Sequence, residues 1–451
     1  MAHIAPFRAL RYDPARVSLS QVVTQPYDKI TTDMQERYHA ASPYNLVRII
    51  LGKHEPADSE ASNRYSRAAA FLHDWRRQGI FLQDPDPSIY LYHQRFALPN
   101  AAKEGVRRGF IALGRLENYS AKVVFRHEQT LAQPKADRLE LLRLTRAHFG
   151  QLFMLYSDPA GELESLLAPS GDPDMEVRDE YGVSHNLWRV SDPGLIALVR
   201  GKMKDKKLII ADGHHRYETA LAYRDERRTI ASSAVVGGIP RERSRASITT
   251  EPEESPYDLA MMTFVNMDSP GLVILPTHRV VHGLPSFSPE SFQSSARNFF
   301  SMEEVDAPIT GPRAVAILRE AGRSGTALLA VTAQRAWLLD RPRANGLNII
   351  FSGFSLRQQA LDVVQLHKCM LETVLGLSEQ SIRNQQNLTY IRDAEEAISR
   401  VRSERANIAF LMNPVRMEQV RDIAFAGEVL PQKSTDFYPK LLSGLTIYAL
   451  D

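Results

Sequence analysis

Along the chain, short runs rich in β-branched and aromatic residues alternate with stretches whose apolar positions recur at helical spacing. The strand-type runs are Ile89 to Phe96, Phe110 to Leu116, Leu152 to Tyr156, Leu208 to Ile210, Met262 to Met267, Leu272 to Val281 and Ala327 to Val331. Two helices stand out. Asn63 to Gln78 carries apolar residues at helical spacing and stops at Gly79, and Lys135 to Ala147 is expected to turn Leu139, Leu142 and the Leu141/Leu144 pair inward. Each is expected to pack against a sheet, so the pattern predicts an α+β (mixed α/β) fold. No repeat of roughly 20 to 50 residues is present, which excludes a solenoid.

Gly, Pro and Asp gather in 168–180, and charge, Ser and Pro mix in 240–256, so both read as seams, the second the better loop. A later seam holds Pro285, Ser286, Ser288 and Pro289, and the main boundary is placed there: a first region 1–285 and a C-terminal α/β domain 286–451.

Length changes little in this picture, since 451 residues suffice for two or three domains. Charge changes more. With 55 Lys plus Arg against 53 Asp plus Glu, no whole-molecule field exists to grip nucleic acid or anionic lipid, and any basic site must be local. The runs Lys202 to Lys207 and Arg241 to Arg245 interleave no aromatics and read as solvated loops, so nucleic acid is not an expected partner. The lone Cys369 excludes a disulfide framework and a thiolate zinc cluster and fits a reducing compartment. Cys369 and His367 read as core residues of a helix. The first residues, Met1 to Phe7, read as a strand rather than a leader, and no apolar run approaches the roughly 18 to 20 residues of a membrane span. A cytoplasmic protein without a membrane partner is expected; a homo-oligomer stays open.

The stretch richest in chemistry runs from Lys206 to Arg224: an apolar strand, the polar turn Asp212-Gly-His-His-Arg216, and an amphipathic helix. Asp212 stands where a carboxylate caps the helix, Gly213 permits an unusual backbone angle, and the first-turn N–H groups suit a phosphate. His214, His215 and Arg216 add donors for a diphosphate or a phosphoryl group in transfer. A capped helix whose His and Arg serve nearby carbonyls is the plainer alternative, and adjacent histidines suit a metal poorly. A second cluster, Phe125-Arg-His-Glu-Gln-Thr130, puts Glu128 beside His127 as a base or metal orienter, although Leu131 stands where a zinc signature needs its second histidine. Thr130 or Asp137 capping a helix explains this stretch equally well. Smaller clusters are Pro26-Tyr27-Asp28, a turn whose Asp could reach a site; Pro276-Thr-His-Arg279, which interrupts an apolar strand; and Pro431-Gln-Lys-Ser-Thr435 with Phe437-Tyr-Pro-Lys440, a phosphate or carboxylate lid or a docked tail.

Together, Ala211-Asp-Gly-His-His-Arg-Tyr-Glu-Thr-Ala220, Phe125 to Thr130, Lys135-Ala-Asp-Arg-Leu139, Pro276 to Arg279 and Pro431 to Thr435 resemble a large bacterial and archaeal family of unknown function often labelled ParB-like. The resemblance spans nearly the whole chain. It implies a ParB/sulfiredoxin-like nucleotide-binding core, a fold in which a strand, a Gly-His-x-Arg type turn and the following helix form the nucleotide site. Among the relatives of that family, free-serine kinases look closest in motif. By that similarity Asp212, His214, His215 and Arg216 surround the phosphates of ATP or ADP, with Asp212 on Mg²⁺. The site calls are therefore Glu128, Asp212 and His215 as catalytic groups, and Gly213, His214, Arg216, His127, Lys433 and Ser434 as nucleotide contacts. Sulfiredoxin chemistry needs a cysteine beside the turn, and Cys369 lies about 150 residues away. DNA-partitioning proteins carry Gly-Glu-Arg-Arg and a helix-turn-helix, whereas this chain has Gly213-His-His-Arg216 and then strand-rich sequence. The implied function is a nucleotide-dependent phosphotransferase acting on a small hydroxylated metabolite, with serine nearest. The alternatives are a nucleotide-binding regulatory module contacting DNA or protein, and a metalloenzyme using His127, Glu128, His214 and His215.

Overall fold

A computed structural model describes residues 2–98, 103–129, 133–236, 254–343 and 347–451, and their side chains except those of 133, 134, 234–236, 347 and 348. Thr130, the basic run 241–245 and most of the seam 240–256 lie outside the described residues. The fold is mixed α+β, with several sheets. It divides into two compact units: Met1–Arg126, Thr130–Leu272 and Pro439–Asp451 form the first, and His127–Gln129 and Val273–Tyr438 form the second.

The first unit is built on a nine-stranded mixed sheet. Its order runs Val124–Phe125, Leu208–Asp212, Leu152–Tyr156, Leu259–Asn266, Glu104–Arg115, Ile89–Ala97, Ser184–Val190 and Met175–Arg178, with Ile4–Ala5 added beside Glu104–Arg115. Leu208–Asp212 lies between a parallel and an antiparallel neighbour. That position explains why Leu208 to Ala211 are all apolar and buried. Ile196, Val199 and Met203 of the helix Pro193–Met203, and Tyr217 and Ala220 of the helix His214–Val236, join the same core as Ile210 and Met154.

Helix Arg64–Arg77 follows its sequence signals closely. Asn63 caps it by accepting from the Tyr65 and Ser66 N–H groups, Ala68, Leu72 and Trp75 face the core, and Gly79 at φ +70 turns the chain away. Helix Gln133–Thr145 departs in one respect. Arg138, Leu141, Leu142 and Thr145 are buried while Leu144 is 43% exposed. Counted at about 100° per residue, Leu144 falls some 120° from Arg138, off the inner stripe that Leu141 and Leu142 share.

The stretch 168–180 is no seam between domains. Met175–Arg178 is a strand with Met175 and Val177 buried, and it pairs with Ser184–Val190 inside the first unit. The boundary expected after 285 also moves. Pro276 offers no N–H and ends Val273–Leu275, which pairs with Asp436–Tyr438, whereas His278–Val281 enters a different sheet between Leu388–Ile391 and Ile408–Met412. Thus the strand expected over Leu272 to Val281 is two strands. Both belong to the second unit, so its limit falls at Val273.

The second unit carries a six-stranded antiparallel sheet, ordered Phe300–Val305, Ala336–Pro342, Ala327–Val331, Ile408–Met412, His278–Val281 and Leu388–Ile391. Ala314 and Leu318 of helix Gly311–Ala321 and Ala397, Ile398 and Val401 of helix Ala394–Arg402 complete a core with Leu329, Val331 and Leu411. Among the described residues, no helix is long and apolar enough to cross a membrane.

Candidate functional site

Asp212 is the last residue of the strand Leu208–Asp212, where the pairing with Leu152–Tyr156 slips in register between Ile210 and Asp212. Gly213 follows at φ +93, a backbone angle that a side chain rarely adopts, and the long helix starts at His214. The residue before the helix is therefore Gly213, whose carbonyl accepts from the Tyr217 N–H at 2.9 Å. The Asp212 carboxylate is not the helix cap that the sequence suggests: its Oδ1 accepts from the Gly213 N–H at 2.8 Å. Tyr217 fixes the first turn by exchanging hydrogen bonds with the backbone of Glu117, at 2.7 and 2.9 Å. His214 is buried at this helix start and His215 is half-buried beside it.

Cations gather about this carboxylate. Lys440 Nζ donates to Asp212 Oδ2 at 3.1 Å. Arg216 folds back across the glycine, so that a Cβ on Gly213 would stand 3.0 to 3.2 Å from its guanidinium, and its Nη1 donates to the Gln151 carbonyl at 2.5 Å. Burial works to raise the Asp212 carboxyl, but Lys440, Arg216 and Lys29 outweigh it and hold the group well below its usual 3.8. Arg107 also feels Asp212. Burial pushes its guanidinium down to about 10, with Tyr92 and Asp212 opposing, so it stays charged at neutral pH.

Buried bonds position Lys440. The Lys440 carbonyl accepts from Gln94 Nε2 at 2.8 Å, the Pro439 carbonyl accepts from Arg107 Nη2 at 2.5 Å, and the Leu442 N–H donates to the Tyr92 hydroxyl at 3.2 Å. Buried polar atoms of this region with no hydrogen-bond partner among the described residues include Arg107 Nη1, Gln151 Nε2 and Thr219 Oγ1. Thr219, Arg216, Ser443, Tyr27 and Arg138 line a cavity of about 70 Å³, several times the roughly 10 to 15 Å³ that one water requires. Arg138 stacks 4.2 Å above the Tyr27 ring. The turn after Pro26 thus contributes Tyr27 and Lys29, while Asp28, which the sequence singled out, is exposed.

His127, Glu128, Lys433 and Ser434 lie in the second unit. His127 is fully buried, with Nε2 2.8 Å from Thr435 Oγ1. Glu128 Oε1 accepts from the Lys433 N–H at 2.9 Å, and the Lys433 carbonyl accepts from Arg279 Nη2 at 3.1 Å. Burial pushes the Arg279 guanidinium down to about 10, against Tyr390 and Glu128. The Ser434 hydroxyl donates to the Pro431 carbonyl at 2.5 Å. The motif from Pro431 to Lys440 is therefore divided: Lys433 and Ser434 belong to the second unit and Lys440 to the first.

The metal expectations fit poorly. Among the described residues, no three His, Cys, Asp or Glu side chains are grouped to hold an ion. His127 and Glu128 belong to one unit and His214 and His215 to the other, so the four-residue metal set is not assembled within a unit. Asp212 faces Lys440, Arg216 and Lys29, a cationic surrounding that suits an anion better than Mg²⁺.

Sequence reasoning missed Arg107 and Lys29, and it named Lys440 only as part of a tail motif. Arg107 is followed by Arg108 near the polar start of the strand Glu104–Arg115, and such a pair, with no repeat or motif around it, gives no local signal. The remaining cationic run near the site is occupied locally: Lys206 Nζ donates to the Ser157 carbonyl at 2.7 Å and Lys202 pairs with Glu162.

Comparison with known proteins yields a family and some remote likenesses. No curated protein matches. A conserved hypothetical protein from Pyrococcus furiosus is 11% identical, with 72% of this chain and 91% of that one covered at a TM-score of 0.35. Free serine kinase in complex with AMP is 14% identical, with 72% and 89% covered at 0.33. SbnI with a C-terminal truncation, from Staphylococcus aureus, is 8% identical, with 75% and 87% covered at 0.34. None of these matches carries the ParB label, so that part of the resemblance finds no support in them. The family signature described as a protein of unknown function, DUF1015, matches residues 4–364. The chain belongs to the DUF1015 family.

Proposed function

We propose that the corner between Asp212 and Arg216 binds the phosphates of a nucleotide, ATP or ADP, and that the protein transfers a phosphoryl group to the hydroxyl of a small metabolite, with free serine the first acceptor to test. One observation carries the reading: Lys29, Arg107, Arg216 and Lys440 surround the Asp212 carboxylate at the start of a 23-residue helix. Each cation comes from a different part of the sequence, and gathering them is costly unless an anion is met there. The motif resemblance to free-serine kinases supports the same ligand.

In this proposal the first-turn N–H groups and Arg216 hold phosphate oxygens. Asp212 is a positioning residue that fixes the Lys440 ammonium, and His215 stabilises the group in transfer. The acceptor oxygen bonds to phosphorus as the bond to the leaving nucleotide oxygen breaks, and the hydroxyl proton passes to a general base. No step is assigned to a metal.

A second reading, a nucleotide-binding regulatory module without rapid turnover, is favoured by the pairing of Asp212 with Lys440, which leaves that carboxylate engaged. The test is phosphorus NMR of purified protein with ATP or ADP, with and without magnesium, against hydroxy amino acids and other small hydroxylated metabolites. A phosphorylated product is expected. Nucleotide binding without product supports the regulatory reading, and failure to bind contradicts both.

A further inference from the structure

The first unit contains a cavity of about 380 Å³, within the roughly 300 to 1,000 Å³ of small-molecule pockets. Strand register builds one wall. Asn266 pairs with Tyr156, Val265 with Gly109 and His93 with Arg108, so Tyr156, Arg108 and His93 fall along one row of a single sheet face. The same face carries Phe110 one step inward, its ring 6.4 Å from that of Tyr156, and Arg95 one step outward. Leu163 of the helix Glu162–Leu166 and Leu167, which share a core with both rings, add apolar wall. Arg107, which serves the Lys440 segment, leaves the sheet on the opposite face, and no residue of the phosphate corner lines this cavity.

The polar groups of the lining narrow the chemistry. Tyr156 is 2% exposed, yet its hydroxyl hydrogen-bonds no described residue and keeps some accessible surface. Buried polar atoms are normally met, so a reachable hydroxyl left unmet on a cavity wall points to a ligand. Burial pushes this hydroxyl up, so it stays protonated and able to donate. Arg108 stands 3.9 Å from Glu164, beyond hydrogen-bond reach, and neither Arg108 nor Arg95 donates to a described side chain. Burial and Arg108 push the His93 imidazole down to about 4, so it is neutral at pH 7. Two guanidinium groups against one carboxylate leave one positive charge on the lining, which calls for a monoanion. A carboxylate accepts from an arginine and a hydroxyl at once, whereas a bare inorganic anion would leave Phe110, Leu163 and Leu167 uncovered.

We propose that this cavity binds a free monocarboxylic acid with an apolar chain, its carboxylate met by Arg108 and the Tyr156 hydroxyl and its chain set against Phe110, Leu163 and Leu167. Arg95 adds attraction from the outer row. All these groups lie in the first unit. The site is additional to the phosphate corner and does not depend on it.

The test is calorimetric titration of the full chain with octanoate, which carries no phosphate. Saturable binding is expected, weakened about tenfold by Tyr156→Phe, which removes one hydrogen bond to a charged group, and at least tenfold by Arg108→Gln. Because the hydroxyl has no described protein partner to lose, the unfolding midpoint of Tyr156→Phe should match wild type, which separates a ligand contact from a structural one. Arg216→Ala is expected to leave octanoate affinity unchanged, so failure here is distinct from failure of the nucleotide corner; a loss in that variant places octanoate at the corner and overturns the proposal. Absence of saturable octanoate binding overturns it too. So does binding of 1-octanol or octylamine as tight as octanoate, or octanoate affinity equal to wild type in folded Tyr156→Phe. Should that variant not fold, unchanged affinity in Arg108→Gln overturns it instead.

Discussion

Lys440 Nζ stands 3.1 Å from Asp212 Oδ2 although 228 residues separate them. The chain thus brings its last segment back to the corner where a buried strand ends and its longest described helix begins. Gln94 and Arg107 hold the backbone on which Lys440 rides, so the charge is set in place by the sheet itself.

Removing the ammonium leaves a largely buried carboxylate with weaker compensation. Lys440→Met is expected to lower folding stability by about 2 kcal/mol, less than the full cost of an unpaired buried charge because Arg216 and Lys29 remain. Pyrophosphate affinity should fall in the same variant. Urea unfolding and calorimetric titration measure the two effects, and a variant as stable as wild type would remove Lys440 from the account.

Acid should act on this pair with a definite sign. The Asp212 carboxyl titrates below its unfolded value of 3.8, so the unfolded chain binds the extra proton between the two values. Its contribution is complete above that unfolded value and is lost as pH falls below it. Unfolding free energies measured from neutral pH into that acid range should decline less steeply for Asp212→Asn than for wild type, with no difference in slope above about pH 5.5.

Gly213→Ala tests the turn. Alanine at φ +93 is strained, and its Cβ would press on the Arg216 guanidinium. Stability should drop by about 1–2 kcal/mol, and pyrophosphate binding should weaken as Arg216 is displaced. Denaturation and titration of the same preparation check both.

Arg107→Met should cost about 1–3 kcal/mol by orphaning the acceptors on Gln94 and Pro439. It should also weaken pyrophosphate binding, since both the field and the seat of Lys440 change. Loss of stability with undiminished anion affinity would make Arg107 purely structural.

The base expected at Glu128 has its own variant. Glu128→Gln keeps an acceptor for the Lys433 N–H but removes a negative charge that favours the buried Arg279 guanidinium, so folding stability should fall modestly while nucleotide affinity is unchanged. Phosphoryl transfer should slow by roughly 10² to 10⁴ if the carboxylate takes the proton. An unaltered rate in a single-turnover assay would strike Glu128 from the mechanism.

The corner was legible where chemistry is local. Asp212, Gly213 and Arg216 announce a strand, a positive-φ turn and a helix start in consecutive residues, and the fold places them so. Lys29, Arg107 and Lys440 carry no such signal, because their meeting depends on which strands pair and where the tail returns. Leu152–Tyr156 and Ala327–Val331 were readable as continuous apolar runs. Leu272 to Val281 was not, since two strands of different sheets share one hydrophobic stretch broken only at Pro276 and Thr277. Periodicity likewise placed the helix containing Leu144 but not its rotation, which the burial of Arg138 and Thr145 decides.

The central claim is that the Asp212–Arg216 corner holds a phosphoanion. Calorimetric titration of the full chain with pyrophosphate, comparing wild type with Arg216→Ala, tests it most directly. Saturable binding that weakens with salt and falls at least tenfold in the variant is the predicted result; binding that is absent, or identical in both proteins, would contradict it.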